Sequence, residues 1–295
     1  MRLAVLTQPT SWYFRDLARA AGSRHELFAV PFRQITASLT PEQAEFHAGG
    51  FELADADAVL VRTMPPGSLE QVVFRMDVLG RLAARGTPVV NPPRSIEAAV
   101  DKYLATALLE GTGLLVPATA VCQTVEDALS AFHRLGGDVV LKPLFGSEGR
   151  GITRLADEAL AQRAFSLLAQ LGAVIYLQRF IEHEGADLRI LVIGDRALAI
   201  QRRNRLDWRT NVSRGAEAVP VELTPDLLET ARRAAAAIGA PLAGVDLLPG
   251  RDGRLYCLEV NAVPGWQALA AALQIDVAAV VLDYLESVAG GARTS

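Results

Sequence analysis

The sequence predicts a mixed α/β protein, and three observations lead to this fold class. In the first third of the chain, short apolar segments alternate with amphipathic helical ones, as in a parallel sheet with crossover helices. In the middle third, a glycine-rich stretch lies between two predicted strands. In the last third, two pairs of apolar segments each flank a turn, which predicts antiparallel hairpins. We therefore expect an N-terminal α/β domain followed by two α+β lobes.

The N-terminal domain is expected to span residues 1–94. Its predicted strands cover residues 2–7, 26–30, 58–61 and 88–90, and its predicted helices cover residues 12–21 and 69–85. The sequence Asn91-Pro92-Pro93 then breaks the chain, and Ser95 is expected to cap the next helix. We place the first domain boundary here.

Two further units are expected, over residues 95–182 and 183–295. In the central unit, helices are predicted over 95–110, 125–135 and 157–171, and strands over 119–122, 139–142, 151–155 and 174–180. In the C-terminal unit, strands are predicted over 188–193, 197–203, 243–248 and 255–261, and helices over 227–239 and 268–288. The first hairpin turns at Gly194-Asp195.

The composition is that of an ordinary globular enzyme, with 51% hydrophobic and 21% charged residues among 295. The net charge of −4 argues against sequence-independent nucleic-acid binding, which requires excess positive charge. No apolar run reaches the length of a membrane span and no signal-peptide pattern is seen, so we expect a cytoplasmic protein. Cys122 and Cys257 lie in apolar segments and are expected to be buried free thiols.

The segment Glu259-Val260-Asn261 indicates a metal site. Residues two apart on a strand face the same side, so Glu259 and Asn261 point together while Val260 faces the core. Asp246 lies in the partner strand of the same predicted hairpin. Two carboxylates and an amide oxygen suit Mg²⁺, which takes its other ligands from water and nucleotide phosphates.

The lysines indicate a phosphate site. Lys102 and Lys142 are the only lysines among the 29 basic residues. An ammonium group is a compact charge that fits between phosphate oxygens. Lys142 shortly precedes the glycine-rich stretch from Gly146 to Gly151, which joins two strands and does not precede a helix. Such a loop is expected to act as a flap whose backbone N–H groups cover phosphates.

A cluster of arginines lies at the end of the first C-terminal hairpin. It contains Arg202, Arg203, Arg205, Arg209 and Arg214, interleaved with Trp208 and Asn211. In a chain of net negative charge, this cluster favours the binding of anionic groups. Asp187 follows a turn and is compatible both with binding a ribose hydroxyl and with capping the turn.

The order of these features resembles the ATP-grasp superfamily, and more closely the RimK-type α-L-glutamate ligases. The most specific parts of the resemblance are the two lysines and the run Glu259-Val260-Asn261-Ala262-Val263-Pro264-Gly265. The resemblance extends over nearly the whole chain. It implies an ATP-grasp fold in which residues 1–94 form a pre-ATP-grasp domain, 95–182 form the central lobe with the flap, and 183–295 form the lobe with the metal site.

The resemblance also implies a role for each candidate residue. Lys102, Lys142, Ser147 and Gly149 would hold the ATP phosphates, Arg179, Phe180 and Ile181 would form the hinge that meets adenine, Asp187 would hold the ribose, and Arg209 and Asn211 would lie over the nucleotide. Asp246, Glu259 and Asn261 would bind Mg²⁺ or, in its place, Mn²⁺. Arg203 would act with Lys142 in catalysis by steadying the transferring phosphoryl group, and Arg189, Arg202 and Arg214 would bind substrate. An acidic residue is usual where this hinge has Arg179, which leaves the preference for ATP over GTP open.

The implied reaction joins the amine of L-glutamate or a similar amino acid to a carboxylate through an acylphosphate. The acceptor is expected to be an acidic small molecule, and the ending Val263-Pro264-Gly265-Trp266 favours a one-carbon carrier of the tetrahydromethanopterin or methanofuran type. The alternatives are a protein or peptide C-terminus as acceptor, or a catalytically silent nucleotide-binding module. Homodimers or homotetramers are expected by analogy, with no nucleic-acid or membrane partner. A Rossmann oxidoreductase is excluded because Gln8-Pro9-Thr10 stands where its glycine fingerprint would begin.

Overall fold

The structure is a computed structural model that describes residues 1–146, 151–210 and 215–292. The first part of the chain contains, in order, β1 (Arg2–Leu6), α1 (Trp12–Ala21), β2 (Glu26–Val30), β3 (Ile35–Leu39), β4 (Ala44–Ala48), β5 (Phe51–Glu52), β6 (Ala58–Val61), α2 (Leu69–Ala84), β7 (Val89–Val90) and α3 (Pro93–Val100). The middle part contains α4 (Lys102–Gly111), β8 (Thr119–Cys122), α5 (Val125–Arg134), β9 (Val139–Lys142), β10 (Thr153–Leu155), α6 (Glu158–Gln170) and β11 (Ile175–Arg179). The last part contains β12 (Ala186–Ile193), β13 (Arg196–Arg203), β14 (Glu217–Pro220), α7 (Pro225–Ile238), β15 (Leu242–Pro249), β16 (Leu255–Asn261), α8 (Gln267–Leu273) and α9 (Val277–Ala292).

The predicted fold class is confirmed, and the ends of most predicted elements lie within one or two residues of the observed ones. One prediction is wrong, and several strands were missed. Ser95 does not cap α3, because the helix begins at Pro93, where proline's fixed φ suits a first helical residue. The Ser95 hydroxyl instead donates a hydrogen bond to the Gly239 carbonyl. The antiparallel sheet β3-β4-β5 and strand β14 were not predicted at all.

The N-terminal sheet is parallel, with strand order β2-β1-β6-β7. The central strands β1 and β6 are buried on both faces. Leu3 and Val5 belong to an apolar cluster with α1 and α9, while Ala4 and Leu6 belong to a second cluster with α2 and α3. Helix α9 packs on α1, on β6 and on β12, so the last helix of the chain connects the N-terminal sheet to the C-terminal one.

The central sheet, β10-β9-β11-β8, has its own apolar core under α5 and α6. The predicted pairing of the strands that flank the glycine-rich stretch is confirmed, since β9 and β10 are antiparallel neighbours. The buried residues of α3 and α4 pack in the cluster that the N-terminal and C-terminal sheets share, not in the central core. By packing, these helices therefore belong outside the central lobe, and the division at residue 94 stays a prediction.

The C-terminal sheet, β14-β13-β12-β15-β16, is antiparallel and has two unlike faces. One face places Ile190 and Val245 in the shared cluster against α7. The other face is apolar where Leu191 and Ile193 pack in the cluster that contains α9. The same face is polar farther along the strands, and the candidate active site lies there.

Asn91 ties the predicted domain boundary to this sheet. Its side chain is buried, donates to the carbonyls of Leu242 at 2.6 Å and of Ala262, and accepts from the Leu242 N–H at 3.0 Å. The segment that the sequence marked as a break is therefore a fixed junction between β7, β15 and the end of β16.

The predictions for the cysteines are confirmed as far as the structure describes them. Cys122 and Cys257 are free and buried, and they lie in separate cores. Among the described residues, no single helix is both long and apolar enough to cross a bilayer, although the pair Gln267–Leu273 and Val277–Gly291, bent by 113°, would qualify by length and composition alone.

Candidate active site

Strand register brings the polar residues of the C-terminal sheet onto one face. Asp187 pairs with Arg202, Arg189 pairs with Asp246, Asp246 also pairs with Glu259, and Gly244 pairs with Asn261. Directly paired residues share a face, and so do residues two apart on one strand. The pairing of β15 and β16 shifts next to Asp246, where Leu258 has no partner, and such irregularities are common beside active sites.

Asp246 is held between two guanidinium groups. Nη2 of Arg189 donates to Oδ2 of Asp246 at 2.9 Å, and Nη2 of Arg202 lies 2.9 Å from the same oxygen. Arg202 also donates from Nε to Oδ1 of Asp187 at 2.7 Å. Burial would raise the pKa of Asp246, but Arg189 and Arg202 outweigh it and hold this pKa below its ordinary value. Asp246 is therefore an anion in the folded protein.

Glu259 lies against Asp246, and the arrangement fits a divalent cation. Burial, followed by the charge of Asp246, raises the pKa of Glu259, while Arg189, Lys142 and Lys102 oppose the rise. Two adjacent carboxylates repel each other unless a proton or a cation lies between them. Asn261, on the same face, accepts from the Val263 N–H at 2.9 Å and keeps a second lone pair on Oδ1. Among the described residues, no group of three or more His, Cys, Asp and Glu side chains forms a metal site. The candidate ligands are thus two carboxylates and an amide, which suit a hard ion.

The two lysines lie near enough to Glu259 to feel its charge. Nζ of Lys102, in the first turn of α4, donates to the Gly146 carbonyl at 2.8 Å. Nζ of Lys142, at the end of β9, donates to Oε1 of Gln178 at 2.5 Å. Burial lowers the pKa of both ammonium groups, to about 8 for Lys142, and the charge of Glu259 opposes the shift in both. The two ammonium groups and the acidic pair therefore share one electrostatic environment.

Gln178 is a site residue that sequence reasoning did not assign. It is buried on β11, where it accepts from Lys142 and donates to the Thr119 hydroxyl at 3.1 Å. Tyr176, on the same strand, is hydrogen-bonded to Thr106 of α4 at 2.8 Å. This network fixes Lys142 and joins the central sheet to the helix that bears Lys102. The sequence did contain a signal for Gln178, because this residue places an amide in an otherwise apolar buried strand.

The predicted hinge is only partly free to meet a base. The N–H of Arg179 donates to the Ala118 carbonyl at 2.8 Å, and the N–H of Phe180 donates to the Asp138 carbonyl at 3.0 Å. Among the described hinge residues, Ile181 therefore supplies the N–H that is not already bonded within the protein. The Phe180 ring has the Arg154 guanidinium 3.5 Å from its centroid and the Trp208 ring edge-on at 5.7 Å.

Arg203 lies on the other face of the strand from the acidic pair, and its predicted catalytic role stays untested. Arg202 and Arg203 are consecutive on β13 and point to opposite faces, and it is Arg202 that joins Asp187 and Asp246. Arg203 is exposed and donates to Gln201 at 2.6 Å. Alternation along the strand therefore excludes Arg203 from the face that bears the acidic pair.

Three other arginines are already paired with carboxylates. Arg189 and Arg202 bind Asp246, so they neutralise the acidic pair instead of presenting free guanidinium groups to a substrate. Arg209 folds back on Asp207, with Nη2 and Oδ2 2.6 Å apart.

Asp187 has two partners of its own. It accepts from Arg202 and, at 2.6 Å, from the Thr210 hydroxyl, so a ribose would have to use a remaining lone pair. Its predicted role is untested, and Ser147, Gly149, Asn211 and Arg214 lie outside the described residues.

Comparison with known proteins places these observations in context. Residues 99–285 match the model of the RimK-like ATP-grasp domain. The chain is 33% identical to the tetrahydromethanopterin:alpha-L-glutamate ligase of Methanosarcina acetivorans, over 96% of this chain and 98% of that one. It is 32% identical to a probable alpha-L-glutamate ligase of Aliivibrio fischeri, over 100% and 98% of the two chains. Among solved structures, the ATP-grasp ligase PsnB, complexed with a minimal precursor, Mg and ADP, superposes with a TM-score of 0.77 at 22% identity, over 97% of each chain.

Proposed function

The chain belongs to the RimK-like ATP-grasp family, and from this premise we propose that it joins L-glutamate to a carboxylate of an acidic small molecule, using ATP and Mg²⁺. The observation that supports this most directly is the meeting of Lys102 and Lys142 with the acidic pair Asp246 and Glu259. The two ammonium groups can bind the phosphates of ATP directly. The two carboxylates can bind the same phosphates through metal cations placed between them.

The nucleotide-binding roles form part of the proposal. Lys102 and Lys142 bind phosphate oxygens, and Ser147 and Gly149 cover them from the flap. Ile181 supplies the hinge N–H for adenine, and Phe180 supplies an apolar ring beside it. Asp246, Glu259 and Asn261 hold the metal ion, for which Mn²⁺ has the same oxygen preference as Mg²⁺.

The reaction proceeds in two steps. A carboxylate oxygen of the acceptor attacks the γ-phosphorus, and the bond between this phosphorus and the β–γ bridging oxygen breaks. ADP departs, and the acceptor carboxylate has become an acylphosphate. The neutral amine of glutamate then attacks the acyl carbon, inorganic phosphate leaves, and the new amide nitrogen gives one proton to solvent and keeps one hydrogen. Lys142 neutralises charge on the transferring phosphoryl group while Gln178 holds its position. Bound Mg²⁺ would supply further charge neutralisation at the phosphates.

The acceptor in this proposal is a one-carbon carrier of the tetrahydromethanopterin or methanofuran type. Support comes from the relative named for tetrahydromethanopterin, which the chain matches along nearly its whole length. We also propose that the enzyme acts in the cytoplasm, where ATP is available and where the free Cys122 and Cys257 thiols stay reduced.

A turnover screen tests the proposal. Purified protein is incubated with ATP, Mg²⁺, L-glutamate and a panel of carboxylate acceptors that includes tetrahydromethanopterin and acidic peptides. We expect phosphate release only with an acceptor and glutamate present, and a product heavier by one glutamyl residue in mass spectrometry. Glu259→Gln and Lys142→Ala should abolish turnover while the circular-dichroism spectrum is retained. Normal turnover in either variant, or a peptide as the preferred acceptor, would contradict the proposal.

A further inference from the structure

Arg62 is a buried cation that pairs with no carboxylate in the part of the chain that the structure describes. It follows β6 directly, and its residue is 3% exposed. Among the described residues, neither Nε nor Nη1 of Arg62 has a hydrogen-bond acceptor. The guanidinium carbon lies 4.2 Å from the centre of the Trp266 ring and 4.6 Å from that of Tyr13. Burial lowers the pKa of Arg62 to about 10. Stacking on two rings offsets part of the desolvation cost, but it satisfies no N–H group.

The place of Arg62 in the topology is one where α/β proteins bind ligands. In the order β2-β1-β6-β7, the chain passes from β1 to β2 on one side of β1 and later forms β6 on the other side. The strand order therefore reverses between β1 and β6. Ligands of open parallel sheets bind at the carboxyl ends of the strands at such a point. Leu6 and Val61 pair at these ends, and the next residues are Thr7 and Arg62.

Two further features at this point can donate hydrogen bonds to a ligand. The Thr7 hydroxyl is fully buried and unbonded among the described residues. Helix α1 begins there, yet the Ser11 side chain makes no capping hydrogen bond and no acidic residue lies in the first turn. Helix N-termini with free N–H groups favour anions. Tyr13, the second residue of this helix, is one of the two rings that stack on Arg62. Thr7, Arg62 and the first turn of α1 are called the β1–β6 cluster below.

The β1–β6 cluster is joined to the metal-site strand. Trp266 follows Asn261 closely along the chain and is fully buried, and its Nε1 donates to Asp16 of α1 at 3.0 Å. Between them, Gly265 lies so close to Tyr13 that a Cβ there would be 2.5 Å from the Tyr13 hydroxyl oxygen. Pro264, in turn, packs beside Gly244 and Arg189. One short segment therefore lies beside Arg189, which binds Asp246, and also contacts the rings around Arg62.

We propose that Arg62, with the Thr7 hydroxyl and the first-turn N–H groups of α1, binds a non-reacting carboxylate of one of the two substrates. The inference rests on the proposed function, since it assigns part of the substrate site of that ligase. The guanidinium groups of Arg189 and Arg202 do not fill this role, because they are paired with Asp246 and Asp187. The carboxylate is the side chain of L-glutamate or an acidic group of the acceptor. Both present the same two oxygens, which the planar fork of arginine binds together.

A binding experiment without ATP or metal separates this inference from the proposed function. In a Trp12→Phe, Trp208→Phe background, Trp266 is the remaining tryptophan and lies against Arg62. L-Glutamate, L-glutamine and tetrahydromethanopterin are titrated separately while Trp266 fluorescence is followed. We expect a saturable change with the ligand whose carboxylate binds, and none with glutamine. A response to glutamate assigns the amino-acid substrate, and a response to the carrier alone assigns the acceptor. No response to either, or an equal response to glutamine, overturns the inference even if ligation is observed.

Substitutions complete the test. Arg62→Met should weaken binding of the responding ligand at least about 30-fold and raise its KM similarly, leaving the KM for ATP unchanged. Arg62→Lys keeps the charge but not the fork, and it should recover only part of the affinity. Arg2→Met is the control, since Arg2 also stacks on two rings, Phe28 and Phe51, but at the opposite end of β1. Binding unchanged in both Arg62 variants, with stability lowered as in Arg2→Met, would make Arg62 purely structural and overturn the inference. If Arg62→Met fails to fold, Arg62→Lys decides between the outcomes.

Discussion

Glu259 faces Asp246 at the centre of the candidate site. The repulsion between the two carboxylates lowers the stability of the metal-free protein, whereas the proposed metal site requires both of them. In the absence of metal, burial and the charge of Asp246 raise the pKa of Glu259, so its ionised form is unfavourable. We expect Glu259→Gln to raise the free energy of unfolding of the metal-free protein by about 1 kcal/mol, because it removes this repulsion. The same change should abolish the stabilisation that Mg²⁺ gives the wild type.

Thermal unfolding with and without Mg²⁺ measures both effects. Glu229→Gln, at an exposed position of α7, is the control and should change neither. A Mg²⁺-dependent increase in melting temperature that survives in Glu259→Gln would show that Glu259 is not a ligand.

If Lys142 binds the phosphates as proposed, we expect ATP binding to depend on pH. Its pKa is lowered to about 8, so the ammonium form is lost above that pH and ATP affinity should fall by about tenfold at pH 9. The free energy of unfolding of the nucleotide-free protein should change with pH in the opposite direction. Between about 8 and its ordinary value of 10.5, the unfolded chain holds the proton more tightly, so the nucleotide-free protein gains stability as pH rises.

Isothermal titration of ATP from pH 7 to 9.5 checks the prediction for Lys142. The variant Lys142→Gln should bind weakly and without a transition near pH 8. Constant ATP affinity of the wild type across this range would contradict the assignment of Lys142 to the phosphates.

The face to which a side chain points was predictable from the sequence where strand alternation decides it, as for Glu259, Val260 and Asn261. The same rule places Arg202 and Arg203 on opposite faces, because two consecutive residues of a strand cannot both face the site, and nothing local shows which of the two does. Arg62 and Gln178 were not assigned because their partners lie far away in sequence: Trp266 for the former, Lys142 for the latter. Pairings of this kind follow from topology, which the local pattern does not contain.

At the level of elements, periodicity and caps located most strands and helices. Helix α2 begins at a Ser68–Gln71 capping box, and α7 ends at Gly239 in the left-handed conformation. Two of the strands that were not predicted, β3 and β14, have mostly exposed or half-buried residues and so lack a clear apolar face. Without such a face, the two-residue period that reveals a strand is absent.

The hairpin turn between β12 and β13 gives a prediction at this scale. Gly194 has φ of +54°, and a Cβ there would lie 2.7 Å from the Tyr284 ring of α9. We expect Gly194→Ala to lower the free energy of unfolding by about 2–4 kcal/mol, through backbone strain and through displacement of Tyr284. Gly172→Ala is the matched control, since Gly172 has φ of +65° and open space around it, and should cost about 1 kcal/mol. Equal losses in the two variants, measured by urea unfolding, would show that the contact with α9 contributes nothing.

At the level of the whole molecule, Asn91 joins the N-terminal sheet to the C-terminal one. Asn91→Ala leaves the N–H of Leu242 and the carbonyls of Leu242 and Ala262 without this buried partner. We expect a loss of about 2–4 kcal/mol in the free energy of unfolding, in one cooperative transition of the two joined parts. Urea unfolding followed by near-ultraviolet circular dichroism measures it. A separate early transition of residues 1–94 would instead favour an independent N-terminal domain.

The position of α9 has a consequence for how the chain is made. The ribosome releases β1 and β6 well before α9, which packs on β6 and α1 and begins only at Val277. At typical translation rates of about 5–20 residues per second, the face of Leu3 and Val5 stays without this cover for on the order of ten seconds or more. During that interval the nascent chain exposes an apolar surface that chaperones can bind, so a premature stop codon before residue 277 should send the product to aggregation or degradation.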